Sequence, residues 1–211
     1  MGNVGHLKTG RMRMFVAVVP PDRPVEHLDE FLAPRREAAS FRWSPPEQWH
    51  VTLAFMDHVP DRAYDGMLDR LAAAAAKRHP VEARITGGGA FPDPAGARVL
   101  FAGLSTDAEE LTRMATGARN AVSTAGVEVD GQRFRPHVTL GRMNRPMELT
   151  SWVRLLDAYE GPAWSIDELA LVASHLGEGP RGRARHELVG TFSLGPAGSG
   201  PAPPAAPPRG R

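Results

Sequence analysis

The chain contains no cysteine, which removes disulfide scaffolds, thiolate metal sites, redox pairs and cysteine nucleophiles together. Lysine is almost absent too: of 25 basic residues only Lys8 and Lys77 are lysines, and the rest are arginines. With 24 acidic residues the formal charge is +1. The protein therefore lacks the net field that draws a chain to nucleic acid as a whole, and a nucleic-acid substrate has to be recognised locally. No apolar run approaches a membrane span. Lys8, Arg11 and Arg13 precede an apolar stretch, but it covers only 15–19 and stops at Pro20-Pro21, which is too short for a signal peptide. His6 occupies the position where a myristoylation signal beginning Met1-Gly2 needs Ser or Thr. These absences predict a soluble, cytoplasmic protein that does not bind membranes.

Chemical motifs are missing as well. No Gly-x-Ser-x-Gly occurs, which disfavours a serine hydrolase of that type. The one glycine-rich stretch, Gly87-Gly88-Gly89, lacks the Lys-Ser/Thr or the helix start of a phosphate-binding loop, and reads as a turn.

What is present begins with 42% hydrophobic residues in 211, enough for one domain or two closely packed lobes. Strands are predicted at 13–19, 41–44, 49–55, 81–85, 98–104, 166–174 and 185–194, with a further one through the second motif described below. Helices are predicted over 23–37, 61–77, 106–125 and 149–159. In the first of these Val25, Leu28 and Leu32 form one apolar stripe, and Gly126 ends the third. The strands do not follow a strict strand-helix alternation. The expected fold is α+β, a bilobal duplication with two antiparallel sheets facing a central cleft and helices outside. Residues 1–11 read as a loose leader, 12–194 as the single bilobal domain, and 195–211, rich in Pro, Ala and Gly, as a disordered tail.

One tetrapeptide occurs twice, as His50-Val51-Thr52-Leu53 and as His137-Val138-Thr139-Leu140. In a strand, alternate side chains share a face, so each copy offers an imidazole and a hydroxyl to one side and an apolar pair to the other. A lone strand histidine is ordinarily structural; two identical copies suggest two halves of one site. Zinc would want a third or fourth His, Cys or carboxylate ligand, and Thr stands where a second ligand would fall, so no metal or other cofactor is expected. Two imidazoles on facing walls suit a phosphodiester. One takes the proton of an attacking oxygen while the other gives a proton to the leaving oxygen, and the ordinary imidazole pKa near 6.5 allows both states. The threonine hydroxyls can donate hydrogen bonds to the non-bridging oxygens.

These residues resemble the 2H phosphoesterases, and within them the RNA 2′,3′-cyclic phosphodiesterases, also called 2′-5′ RNA ligase-like proteins. The resemblance runs over 13–194. It rests on Arg13, Phe15 and Ala17 in the opening strand, the phrase 43–55 around the first motif, Arg98-Val99-Leu100-Phe101, the phrase 134–142 around the second, and a closing strand ending at Ser174. It implies opening of a 2′,3′-cyclic phosphate on RNA to a 2′-phosphate. His50 would be the proton donor to the departing 3′ oxygen and His137 the acceptor that activates water. It makes Thr52 and Thr139 phosphate ligands and Arg142 a group that stabilises developing charge. Strict alternation places Arg142 opposite His137, so its role requires a bulge at Gly141. Partners implied are RNA ends or small nucleotides carrying a 2′,3′-cyclic phosphate, bound by a monomer. The reverse reaction, joining ends in a 2′-5′ linkage, and a non-catalytic RNA-end-binding module are the alternatives. Phe15, Phe41, Trp43 and Phe134 are candidates for base stacking, with core packing expected for most. His58 and His186 are expected to be solvated or structural. Asp57-His58 departs from the family's more usual Gly-Glu.

Overall fold

A computed structural model describes residues 12–196. The leader and nearly all of the tail expected from the sequence lie outside the described residues. The elements follow in the order β1 (Met12–Val18), α1 (Asp22–Leu32), β2 (Arg42–Trp43), β3 (Val51–Val59), α2 (Asp61–Ala75), β4 (Val81–Phe91) and β5 (Ala97–Thr106). They continue with α3 (Ala108–Thr124), β6 (Val138–Met147), α4 (Thr150–Asp157), β7 (Trp164–Ile166), β8 (Glu168–Gly179) and β9 (Arg183–Ser193).

The strands form one hydrogen-bonded path in the order β7-β4-β5-β6-β3-β1-β8-β9, with β2 paired to β6. Neighbours run antiparallel throughout. The path divides into the halves β7-β4-β5-β6 and β3-β1-β8-β9, joined between β3 and β6 by the single pair Val51↔Val138. Both valines are fully buried. Beyond that pair β6 turns its edge to β2 instead, through Arg42↔Arg142 and Trp43↔Gly141. The predicted pair of sheets is thus two halves of one sheet that part at a single point.

Helices α2 and α3 pack on each other, with α3 against β3 and α2 against β9, while α4 covers β4 and β5. Helix α1 leaves β1 in one half and packs on β4 in the other; α3 makes the reciprocal crossing from β5 to β3. His27 Nδ1 meets the Tyr159 hydroxyl at 3.0 Å at the first crossing. The helix α3 is started by Asp107, whose carboxylate accepts the backbone N–H groups of Glu109 and Glu110. Glu110 is buried at 2% exposure. Its carboxylate lies 3.6 Å from the Arg78 guanidinium and accepts the His79 backbone N–H at 3.2 Å, contacts that tie α3 to the end of α2.

The triple glycine is not a turn. Residues 87–89 lie inside β4, and the turn falls after it, at Pro92 to Gly96, where Asp93 Oδ1 accepts the N–H groups of Ala95 and Gly96. The glycines answer to packing: a Cβ on Gly88 would stand 2.5 Å from Leu156 of α4, and one on Gly89 would stand 2.2 Å from the Phe101 ring. Gly87, with φ +70°, takes the bulge between Thr86 and Gly88.

Candidate active site

Both motif histidines stand one residue before their strands, at the joint between the halves. Extending the Val51↔Val138 register by one residue each way sets His50 against Thr139 and Thr52 against His137. The valines point to the core, so the four polar side chains share the opposite face. The imidazoles are diagonal neighbours, a relationship that spans roughly 7–8 Å in an antiparallel pair. Each stands on its own half of the sheet, His50 beside β3 and His137 beside β6, as the duplication suggested. They flank one strand pair that splays apart immediately after its joint.

His50, Thr52, His137, Thr139 and Arg142 all line a cleft of about 690 Å³ at this joint. The repeat extends to the backbone. In β3, Ala17 pairs with Thr52 and Val16 with Ala54, leaving Leu53 as an extra residue. In β6, Phe101 pairs with Thr139 and Leu100 with Gly141, leaving Leu140 as the extra residue. Each Thr-Leu is therefore followed by a bulge that flips the alternation. Leu140 and Gly141 are consecutively buried, and Arg142 returns to the side of Thr139. Gly141 is needed for this path: a Cβ there would stand 2.7 Å from the Phe41 ring. The same flip in β3 brings Phe55 to the cleft, where the Arg13 guanidinium lies 4.8 Å from its ring centroid and pairs with Asp57 at 3.1 Å.

The imidazoles are held in matching ways. His50 Nδ1 is 2.7 Å from the Gln48 carbonyl, and His137 Nδ1 is 2.7 Å from the Arg135 carbonyl. A carbonyl can only accept, so each Nδ1 carries the hydrogen and each Nε2 is left for chemistry. Burial pushes His50 down to about 4, partly opposed by its bond to Gln48, with His186, His137 and Arg142 lowering it further. Burial also lowers His137, partly opposed by the Arg135 carbonyl, and Arg142 adds to the effect. Arg142 lines the same cleft as both imidazoles, and its charge disfavours a proton on either.

Aromatic rings fix each imidazole. His50 stacks on Phe15 at 4.4 Å and 20°. His137 meets Phe91 edge-on at 4.9 Å and 83°, and Phe101 at 5.3 Å. Of the stacking candidates, Phe15 and Trp43 line the cleft and Phe134 lines an adjoining groove. Phe41 packs with Trp43 and Trp152 beside it. His58 is exposed on β3, as expected.

His186 is different from its expectation as a bystander. It lines the cleft, with its ring centroid 5.5 Å from that of His50 and 5.1 Å from that of Phe15. No local signal marks it, because one histidine in a terminal strand is common and its neighbours come from β1 and the start of β3. The place of Phe91 and Phe101 beside His137 was hidden by the glycine stretch, which reads as a turn yet runs beside Phe101 because Gly89 leaves room for that ring.

A model of the 2′-5′ RNA ligase superfamily matches residues 20–178. The chain belongs to that superfamily. An RNA 2′,3′-cyclic phosphodiesterase of Thermus thermophilus is 31% identical over 189 residues, spanning 87% of this chain and 90% of that protein. The crystal structure of TT0787 from Thermus thermophilus superposes with a TM-score of 0.71 at 30% identity, over 87% of this chain and 98% of that one. E. coli LigT in its apo form shares the superfamily fold at a TM-score of 0.72 and 19% identity, over 89% of this chain and 99% of that one.

Proposed function

We propose that the protein is a phosphodiesterase that hydrolyses 2′,3′-cyclic phosphate ends of RNA to 2′-phosphomonoesters by paired imidazole catalysis. The observation that carries this reading is the juxtaposition of the two His-Val-Thr-Leu segments across Val51↔Val138, each with Nδ1 tied to a carbonyl and Nε2 free. Relatives carrying the name RNA 2′,3′-cyclic phosphodiesterase support the substrate. The cyclic phosphate sits between the imidazoles. His137 Nε2 takes a proton from water as its oxygen bonds to phosphorus; the bond from phosphorus to the 3′ oxygen breaks, and His50 Nε2 gives that oxygen a proton. Thr52 and Thr139 donate to the non-bridging oxygens, and the Arg142 guanidinium offsets the negative charge that grows on them. Because His50 is held near 4 in the free protein, the anionic phosphate is what loads it with a proton. The chemistry needs no metal.

The test is incubation of the purified protein, in EDTA, with an oligoribonucleotide ending in a 2′,3′-cyclic phosphate. A 2′-phosphate end is the expected product. His50→Ala and His137→Ala each lose about 10²–10⁴-fold in kcat while staying folded by circular dichroism. No turnover, turnover only with added metal, or full activity in either variant overturns the reading. Addition of a 5′-hydroxyl RNA separates hydrolysis from end joining by the product formed.

A further inference from the structure

Beyond His137 the cleft opens into a second cavity of about 460 Å³. The two share Thr52, Phe55, Asp130 and His137 as walls, so they meet at the catalytic imidazole. The second cavity has a different lining: Phe91, Phe134, Arg119, Arg133 and Arg135. Its floor is held in place. The Asp130 N–H donates to the Phe55 carbonyl at 3.0 Å, the Asp130 carbonyl accepts from Arg119, and the Asp130 carboxylate accepts from the Gln132 N–H. Arg133, Phe134 and Arg135 follow on that anchored base and lead directly to His137.

Arg133 and Arg135 are exposed, and among the described residues no acidic side chain forms an ion pair with either. Arg135 lies 5.9 Å from the Phe91 ring centroid, and Phe91 is itself stacked on Phe101 at 4.5 Å. Cationic groups alternating with aromatic rings along a groove match single-stranded RNA, which presents phosphates and bases in alternation. A cyclic mononucleotide would leave one of the two cavities idle.

We propose that the groove formed by Arg133, Phe134, Arg135, Phe91 and Arg119 binds the nucleotides on the 5′ side of the cyclic phosphate, so that longer RNA ends are preferred over short ones. This rests on the function proposed above and adds the substrate's extent. With a chain charge of only +1, this local cluster supplies the attraction that the whole protein lacks. The basic groups act on phosphates and the rings on base faces, so the site is selective for length and tolerant of sequence.

The experiment has a binding arm and a turnover arm. In the first, a 5′-fluorescein-labelled pentaribonucleotide with a 2′-phosphate end is titrated by anisotropy against the full chain and the Arg133→Ala/Arg135→Ala double variant at several salt concentrations. The double variant is expected to bind about tenfold more weakly, and its log–log salt slope to be shallower by about 1.4, for two single-strand phosphate contacts. In the second, kcat/KM for the cyclic-ended pentamer is divided by that for a 2′,3′-cyclic mononucleotide. That ratio is expected to exceed about ten in the native chain and to fall toward one in the double variant, through KM. Equal binding with an unchanged salt slope, or a ratio near one in the native chain, overturns the groove. His137→Ala keeps the two readings apart: lost turnover with RNA binding retained upholds the groove whatever the chemistry at the imidazoles, and tight binding without native turnover counts against the hydrolase reading alone.

Discussion

The rings of His50 and His186 lie 5.5 Å apart at 73°, and both pack against Phe15. One imidazole belongs to the repeated motif and the other arrives on β9, from the far end of the chain. When His186 is charged it disfavours a proton on His50. The His186→Phe variant keeps the aromatic packing and removes that charge. The His50 imidazole signal, followed by NMR, should then titrate at a higher pH. With His50 as proton donor, kcat/KM at pH 7 should rise with it, because more of His50 then carries the proton it donates. An unmoved His50 titration would remove His186 from the account of this site.

Proton loading by the anion has its own signature. Sulfate carries no proton at pH 6, so any proton taken up when it binds comes to the protein. Calorimetry in two buffers of different ionisation enthalpy should show uptake of about one proton, lost in His50→Gln. Binding with no uptake would show that His50 does not become the acid.

The same depressed imidazole makes the fold sensitive to acid. The unfolded chain takes up this proton near pH 6.5, while the folded His50 takes it up only at about 4. Stability is therefore fully present above about pH 6.5 and declines as pH falls toward 4, because the unfolded state binds the proton first. The loss from this group is on the order of 3 kcal/mol. His137 and His186 are both lowered by burial and act in the same direction. Urea midpoints compared at pH 7.5 and pH 4.5 should show the fall, and His50→Gln should flatten it.

Gly141→Ala tests the bulge that aims Arg142. The added methyl meets the Phe41 ring, which is packed against Trp43 and Trp152 and has little room to retreat. The substitution should cost about 1–3 kcal/mol. It should also lower kcat by a factor comparable to that of Arg142→Ala, measured on a cyclic-phosphate RNA end. A Gly141→Ala protein of native activity would detach the bulge from the function of Arg142.

Much of this was legible locally. The apolar periodicity of Val25, Leu28 and Leu32 falls in α1, and residues 61–77 enclose α2. The first helix ends sooner than its pattern suggests, because Pro34, two residues past Leu32, has no N–H to donate back to Glu30, and the chain continues as a 3₁₀ turn over Ala33–Ala38. The glycines at 87–89 misled because glycine marks both a turn and a strand pressed against a neighbour, and only the presence of Leu156 and the Phe101 ring tells them apart.

The His-Val-Thr-Leu repeat settled, with no tertiary information, which side chains share a face, because strand alternation is a property of the local backbone. It also settled that imidazole and hydroxyl come in two equal sets. The tertiary structure decided what surrounds them: the Val51↔Val138 pairing that sets each imidazole against the other motif's threonine, the bulge that returns Arg142 to the cleft, and the arrival of His186 beside His50. Each of these depends on contacts between segments distant in the chain. Such contacts are chosen by packing of the whole core, and no local periodicity encodes them.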